Sequence, residues 1–397
     1  PVGIDEQRSG NAPFVINAQD IRTIDTPAPL NSPAVSPCCA KDPRAVIPNS
    51  WQWNVSVERE LSRNMSLQVS YVGNALIHGT SGIDLNAVPR ADWGDSAFLT
   101  GTALNALRPA GNFGTIQQFA RNGHGNYNAL QTFFRWQTSN FSTFQAAYTY
   151  SHSIANVELD NSSGSVNQQA TTDQSNGILD KGNTNINRPQ IFVASEVFFL
   201  PKLSNKDALV RETIGGWELN SIVSISSGAS LSVFSNNAGD ANGSALTSIM
   251  GSGFNNNVRP DTTGISCNAD ENGKQILNPA AFTFVGHVIG TPGNAARGYC
   301  YGPTNRNVDL QLAKNWNFKE RYRVKFAMDF FNLFNHANFL SIPGTNFNAG
   351  GLQCGTTACS PTNNVITGQN AGQNGSFGQA NSVHPGRELQ YSLKFTF

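Results

Sequence analysis

Glu388-Leu389-Gln390-Tyr391-Ser392-Leu393-Lys394-Phe395-Thr396-Phe397 is the stretch that decides the fold. Apolar side chains stand at 389, 391, 393, 395 and 397, with a polar or charged residue at every position between them. A period of two puts successive side chains on opposite faces of a β-strand, so one face is apolar and the other wet. In a soluble protein the apolar face would meet a core. In a transmembrane strand it meets lipid, and the polar face lines a lumen.

The alternation recurs along the chain. Trp51, Trp53, Val55 and Val57 form one row, and Met65, Leu67, Val69 and Tyr71 the next. Leu130, Thr132, Phe134 and Trp136 follow, then Phe144, Ala146, Tyr148 and Tyr150 after a turn at Ser139-Asn140. Ile191, Val193, Val197 and Phe199 make a fifth row, and Trp217, Leu219, Val223 and Ile225 a sixth. Val308, Leu310, Leu312, Trp316 and Phe318 precede a turn at Lys319-Glu320-Arg321, and Tyr322, Val324, Phe326, Met328 and Phe330 follow it. With the terminal row this predicts about nine strands.

Short connections join strands one to two, three to four and seven to eight. A medium one, Pro201 to Gly215, joins five to six and holds a short helical pattern over 207–212. The remaining connections, about 74–126, 151–188, 228–306 and 337–385, are long. Short periplasmic turns alternating with long extracellular loops are the rhythm of a transmembrane barrel, whereas loops beyond roughly 15 residues are uncommon in compact soluble domains. Placing the short turns on the periplasmic side puts Trp136, Phe199, Trp217, Trp316, Phe318, Tyr322 and Phe397 near one rim. Trp51, Tyr71, Tyr150 and Phe330 then lie near the other. Two aromatic girdles are what a barrel in a bilayer shows. A soluble β-sandwich or β-helix also alternates, but it leaves the loop rhythm and the terminal aromatic unexplained. The expected fold is all-β, an antiparallel transmembrane β-barrel, with 1–48 an extracellular segment and 49–397 the barrel.

Composition agrees. Charged residues make up 13 %, about half the soluble average of roughly 25 %, and 26 basic against 26 acidic residues give no electrostatic reason to expect a nucleic acid partner. No apolar run approaches the ~18 residues of a membrane helix. The six cysteines lie in Asn-, Gly- and Pro-rich segments with no zinc-type spacing, which suits disulfides in an oxidising compartment. Cys267 with Cys300 and Cys354 with Cys359 are the preferred pairs, other connectivities staying open. Cys38 and Cys39 are awkward to pair with each other.

Several segments resemble the C-terminal barrel of Oar-like TonB-dependent outer-membrane receptors, a group abundant in acidobacteria. They include Trp51-Gln52-Trp53-Asn54-Val55-Ser56-Val57-Glu58, Tyr71-Val72-Gly73-Asn74, Gly215-Gly216-Trp217, Asn278-Pro279-Ala280-Ala281-Phe282 and Phe330-Phe331-Asn332-Leu333-Phe334-Asn335-His336. The resemblance implies uptake of a bulky nutrient across the outer membrane, powered by TonB–ExbB–ExbD through a plug, in a barrel of about 22 strands. Bacterial single-chain barrels have an even strand number, so nine strands are expected to be part of a larger barrel. The start at Pro1, without Met or a signal peptide, is expected of a processed or truncated product. A surface structural or adhesion protein that transports nothing is the alternative.

No HExxH, Cys/His cluster or facing carboxylate pair marks a catalytic centre; no enzyme activity, cofactor or metal is expected. Asn236-Asn237-Ala238-Gly239-Asp240 and Asp270-Glu271 offer hard oxygen donors for Ca²⁺, but neither fits an EF-hand or a glycine-aspartate repeat, so plain turns are the preferred reading. Arg135, Glu196, Glu218, Asp309, Arg323, Lys325, Asp329, Glu388 and Lys394 are expected on the polar, lumen-facing phase, with Asp309 near Arg323 or Lys325 and Asp329 near Lys394. Such residues hydrate a lumen through modest cross-strand pairs, or dock a plug and line a solute path. Loop aromatics among amides, Trp93, Phe98, Phe113, Tyr127, Phe282, Phe284 and Tyr301, suit capture of sugars or peptides, and equally suit packing on one another. Tyr391, Leu393, Phe395 and Phe397 resemble the signal read by the barrel-assembly machinery.

Overall fold

The structure is a computed structural model of the chain. It describes residues 40–42, 46–92, 107–110, 116–138, 142–157, 177–205, 207–234, 259–269, 274–288, 291–318, 322–342, 347, 350–354, 363–370 and 377–397. Nine strands carry the fold: β1 (Asn49–Ser62), β2 (Met65–Asp84), β3 (Gln117–Gln137), β4 (Thr143–Ala155), β5 (Gln190–Phe199), β6 (Trp217–Ser226), β7 (Asn305–Phe318), β8 (Tyr322–Phe331) and β9 (Glu388–Thr396). Each pairs antiparallel with its neighbours in chain order, in one meander. β1 and β9 form its two edges and are not paired with each other. The nine alternating rows of the sequence are therefore nine consecutive strands of one sheet.

The register keeps the apolar phase continuous. Val57 faces Val69, Val69 faces Thr132, Thr132 faces Tyr148, Tyr148 faces Phe192 and Phe192 faces Ile225. Further on, Leu312 stands between Leu219 and Met328, and Met328 faces Tyr391. Many of these side chains are exposed, Leu393 to 73 % and Val55 to 66 %. This outward apolar wall is what a sheet facing lipid needs.

Two strands run further than the sequence suggested. β2 has 20 residues and β3 has 21, against the ~9–11 needed to cross a bilayer, so their ladder continues well beyond the membrane. The expected loop over 74–126 shrinks to 85–116. Alternation of hydrophobicity stops near Asn74 because the buried positions beyond it are Gly79, Ser81, Gly82 and Asp84 rather than apolar side chains, and two register shifts between Ile77 and Ser81 break the period. Where they cross, a Cβ on Gly123 would lie 2.7 Å from the Gly79 carbonyl oxygen.

The buried core lies in the long loops rather than on the sheet. Phe282, Phe284, Phe347, Phe377, Ile276, Leu277 and Ile366, all at most 3 % exposed, cluster with the buried Cys267, Cys300 and Cys354. Phe347 is 5.5–6.0 Å from the rings of Phe282, Phe284 and Phe377. Phe282 and Phe284 are thus packing residues, and the capture role does not hold for them. Cys267 and Cys300 form the expected disulfide, with Cα atoms 5.6 Å apart. Cys354 is also disulfide-bonded; Cys359, Cys38, Cys39, Trp93, Phe98, Phe113 and both Ca²⁺ tracts lie outside the described residues.

At the short-turn end, α1 (Ala208–Thr213) falls on the helical pattern of 207–212. Its last carbonyls accept from the girdle: Trp217 Nε1 donates to Thr213 O at 2.9 Å and Trp316 Nε1 to Glu212 O at 3.3 Å. The Gly215-Gly216-Trp217 motif returns the chain to β6. Gly216 holds φ 70°, and a Cβ on Gly215 would lie 2.6 Å from the Lys202 carbonyl oxygen.

Candidate functional site at the mouth of the polar face

The polar phase carries a connected track of side chains. Gln311 Nε2 donates to Asp329 Oδ1 at 2.6 Å, and Asn220 Nδ2 donates to Gln311 Oε1 at 2.9 Å and Glu218 Oε1 at 2.8 Å. Glu218 also meets Lys325 Nζ at 3.6 Å. Neutral members of such a chain contribute about 1 kcal/mol each, and the partly exposed ion pair less. The track hydrates and orders one face of the sheet.

At the long-loop end the track opens into a cavity of about 420 Å³, lined by Asn305, Asn307, Asp309, Asn332, Asn338, His384 and Glu388 among others. A second of about 240 Å³ shares Asp309 and Phe331 with it and continues down the face past Asn220, Gln311 and Asp329. The mouth is built by the segment after β8. Asn332 and Asn335 adopt φ 50° and 54°, a left-handed conformation that asparagine tolerates through local hydrogen bonds. Asn332 N–H donates to Asp309 Oδ1 at 2.9 Å, and the Asn332 amide bonds the His336 backbone both ways. Asn338 closes the joint to β7, accepting from Arg306 N–H and donating to Arg306 O, both at 2.8 Å. Arg387 N–H donates to Asn335 Oδ1 at 2.9 Å, tying the entry of β9 to the same knot. The Phe330–His336 motif thus positions two carboxylates, Asp309 and Glu388, at one opening. One oxygen of Asp309 is engaged within the knot; the rest of the lining offers acceptors and amides to hydroxyl or cationic groups.

Eight of the nine charged candidates lie on the polar phase, Arg135 opposite Ser66 and Gln145, and Arg323 opposite Asn317. Glu196 does not. It faces Phe144 on β4 and Ser221 on β6, in phase with Leu219 and Leu310, and accepts from Ser221 Oγ at 3.0 Å. β5 is apolar on both faces, so its alternation cannot choose a phase and the neighbouring strands choose it. The row Ile191, Val193, Val197 and Phe199 consequently faces the polar side, and Phe199 leaves the girdle. The expected pairs also differ. Asp309 and Arg323 sit far apart because Arg323 is opposite Asn317, and Lys394 is opposite Lys325 while Asp329 is opposite Gln390. Glu218, from the next strand but one, answers the Lys325 charge instead. Asn332, Asn338 and His384 line the mouth without a motif that marks them in the sequence as site residues; the spacing of Asn332, Asn335 and Asn338 by threes is their one local signal.

An antiparallel meander with an apolar wall, a polar track and its packed core in the loops defines a transmembrane β-barrel protein. The chain belongs to the outer membrane beta barrel domain family, whose model matches residues 3–390, which places it in the outer membrane. No curated protein matches it by sequence. Among solved structures, the outer membrane transporter YddB from Escherichia coli is similar at 8 % identity and a TM-score of 0.39, over 91 % of this chain and 34 % of that one. The chain spans about a third of that transporter's length, and at this TM-score the likeness adds nothing to the assignment.

Proposed function

We propose that the chain is barrel wall of a TonB-dependent transporter that takes up a bulky nutrient: a carbohydrate, a peptide or a metal chelate. The observation that carries this reading is the continuity of the polar face, from the acid-and-amide mouth at Asp309 and Glu388 through Asn220, Gln311 and Asp329 to Glu218 and Lys325. A solute entering among the loops meets hydrogen-bonding groups along the whole descent. The motifs shared with Oar-like receptors support dependence on TonB–ExbB–ExbD, and Asp309 with Glu388 favours a hydroxyl-rich solute. A surface role without transport draws on a different observation, the packed and disulfide-linked loop core, which would serve as a binding platform.

Growth separates the two. Strains lacking the complete coding sequence, and strains lacking TonB, are grown on oligosaccharides, oligopeptides and iron chelates as limiting nutrients. The same selective defect in both strains is expected. Full growth of the deletion strain on every solute, together with lost attachment to surfaces, would replace transport by the surface role.

A further inference from the structure

We propose that the outward end of the β3–β4 hairpin carries, on its lipid-side face, a site for the phosphorylated saccharide headgroup of an outer-leaflet lipid. A cavity of about 540 Å³ lies there, lined by His124, Asn126, Asn128, His152, Asn156 and Lys181 among others, within the range of small-ligand sites. Its side is set by register. Asn128 pairs with Gly73 and His152, and Asn126 with Ala75 and Ile154, all in phase with the lipid-side Leu130 and Tyr150. The cavity therefore faces away from the polar track.

Its height is set by tyrosines. Tyr150 and Tyr71 are exposed two residues inward of the lining, and Tyr71 Oη donates to Asn128 Oδ1 at 2.7 Å. Tyrosines on a barrel wall sit at headgroup level, so the cavity begins where hydrocarbon gives way to headgroups. The long-loop end is extracellular in such barrels, which makes these the headgroups of the outer leaflet.

Its chemistry is donor-rich. Among the described residues the lining holds no carboxylate, and Lys181 makes no ion pair. Asn183 Nδ2 donates to Gly298 O and Tyr301 Oη, so its Oδ1 accepts from His152 Nε2 at 2.8 Å. That leaves His152 Nδ1 as an acceptor for a saccharide hydroxyl in the neutral ring, and as a donor to phosphate once the ring is protonated. Asn156 is locked in place, accepting from His124 N–H at 2.6 Å and donating to Asn122 O at 3.2 Å. A lysine, two imidazoles and several amides suit a phosphate flanked by sugar hydroxyls. Ile178, 79 % exposed beside them, offers an apolar edge toward acyl chains.

The test uses the full-length protein in detergent and native mass spectrometry, with a diphosphorylated glucosamine-disaccharide lipid as probe. Its dephosphorylated form, its deacylated form and inorganic phosphate serve as comparison probes. Retention of the diphosphorylated lipid is expected, weakened about tenfold by Lys181→Glu and by dephosphorylation, the loss of roughly one charge-assisted hydrogen bond, and about threefold to fivefold by His152→Ala, the loss of a neutral one. Heat-modifiable migration on gels confirms that both variants are folded. Unchanged retention in folded variants would overturn the site, as would equal binding of the dephosphorylated lipid. Equal binding of the deacylated probe or inorganic phosphate would assign the site to a soluble phosphate and overturn the lipid.

Discussion

Lys314 carries its charge on the apolar phase of β7, between Leu312 and Trp316. It is 2 % exposed, donates to Gly215 O at 2.8 Å, and lies 5.5 Å from the ring centroids of both Trp217 and Trp316. A carbonyl and two indole faces replace the lost water, and cation–π contacts of this kind contribute about 0.5–2 kcal/mol. Among the described residues Glu196 has only Ser221 for the same purpose. Glu196→Leu combined with Ser221→Ala should therefore stabilise the barrel slightly, by about 1 kcal/mol or less, because Glu196 sits three residues from the end of β5, where the lipid-side penalty is small. Leu310→Arg, deeper on the same face, should cost about 2–4 kcal/mol, while Gln390→Arg, facing Asp329, should be tolerated. Urea titrations of the refolded barrel measure all three. A loss of stability in the Glu196 variant would return that residue to the wet face.

Elements of this sheet are specified in pairs rather than singly. The Trp51-Gln52-Trp53 and Tyr71-Val72-Gly73 motifs are one unit, because the Trp53 indole lies across Gly73, where a Cβ would fall 2.1 Å from the ring. The closing strand shows the same dependence: Phe395 stacks on Tyr322 of β8 at 6.0 Å, and Phe397 on Phe395 at 6.1 Å. β9 has β8 on one side only, so its other edge offers main-chain hydrogen bonds to a partner strand. Deleting Phe397 from the full-length protein should slow insertion by the barrel-assembly machinery in cells and leave refolded stability nearly unchanged. Normal insertion kinetics would reduce Phe397 to a girdle residue. Orientation has its own check. A cysteine replacing Asn64, in the β1–β2 turn, should resist an impermeant thiol reagent on whole cells, and one replacing Thr263, in a long loop, should react; reaction at Asn64 would invert the barrel.

The molecule as a whole divides its stability between two solvents. The sheet gains from lipid and from its ladder, while the loops hold a water-type core with buried ion pairs. Arg108 meets Asp84 at 2.7 Å, and Asp84 Oδ1 also accepts from Asn86 and Ile116 N–H. Arg259 meets Asp180 at 3.4 Å; burial holds its guanidinium below the usual range, against the pull of that carboxylate. Burial pushes the Asp261 carboxyl upward, but hydrogen bonds from His287 and Asn294 outweigh it, so its pKa is lowered. A lowered carboxyl contributes stability above its unfolded value and loses it as pH falls through the folded one. The loop core should accordingly become protease-sensitive below about pH 4, and Asp261→Asn should blunt that dependence while lowering resistance at neutral pH. Breaking the Cys267–Cys300 bond, which spans 33 residues, should cost the loop core about 3–4 kcal/mol, read as faster proteolysis of the loops with the sheet intact.

Strand number, chain order, turn lengths and the apolar phase of eight strands were legible in the sequence, because each is written locally in period-two alternation and in the length of what interrupts it. Three things were not. The phase of β5 is set by Phe144 and Ser221 on its neighbours, since Phe192 and Phe198 balance Val193 and Val197. The outward reach of β2 and β3 is set by pairing between two polar, glycine-rich segments that carry no hydrophobic period. The mouth at Asp309 and Glu388 depends on Asn332 and Asn338 folding back on β7 across 23 and 32 residues of chain, and the loop core depends on Phe282 of one long loop meeting Phe347 and Phe377 of another. Alternation is a property of neighbours in sequence; register and loop packing are properties of neighbours in space, and only the tertiary structure decided them.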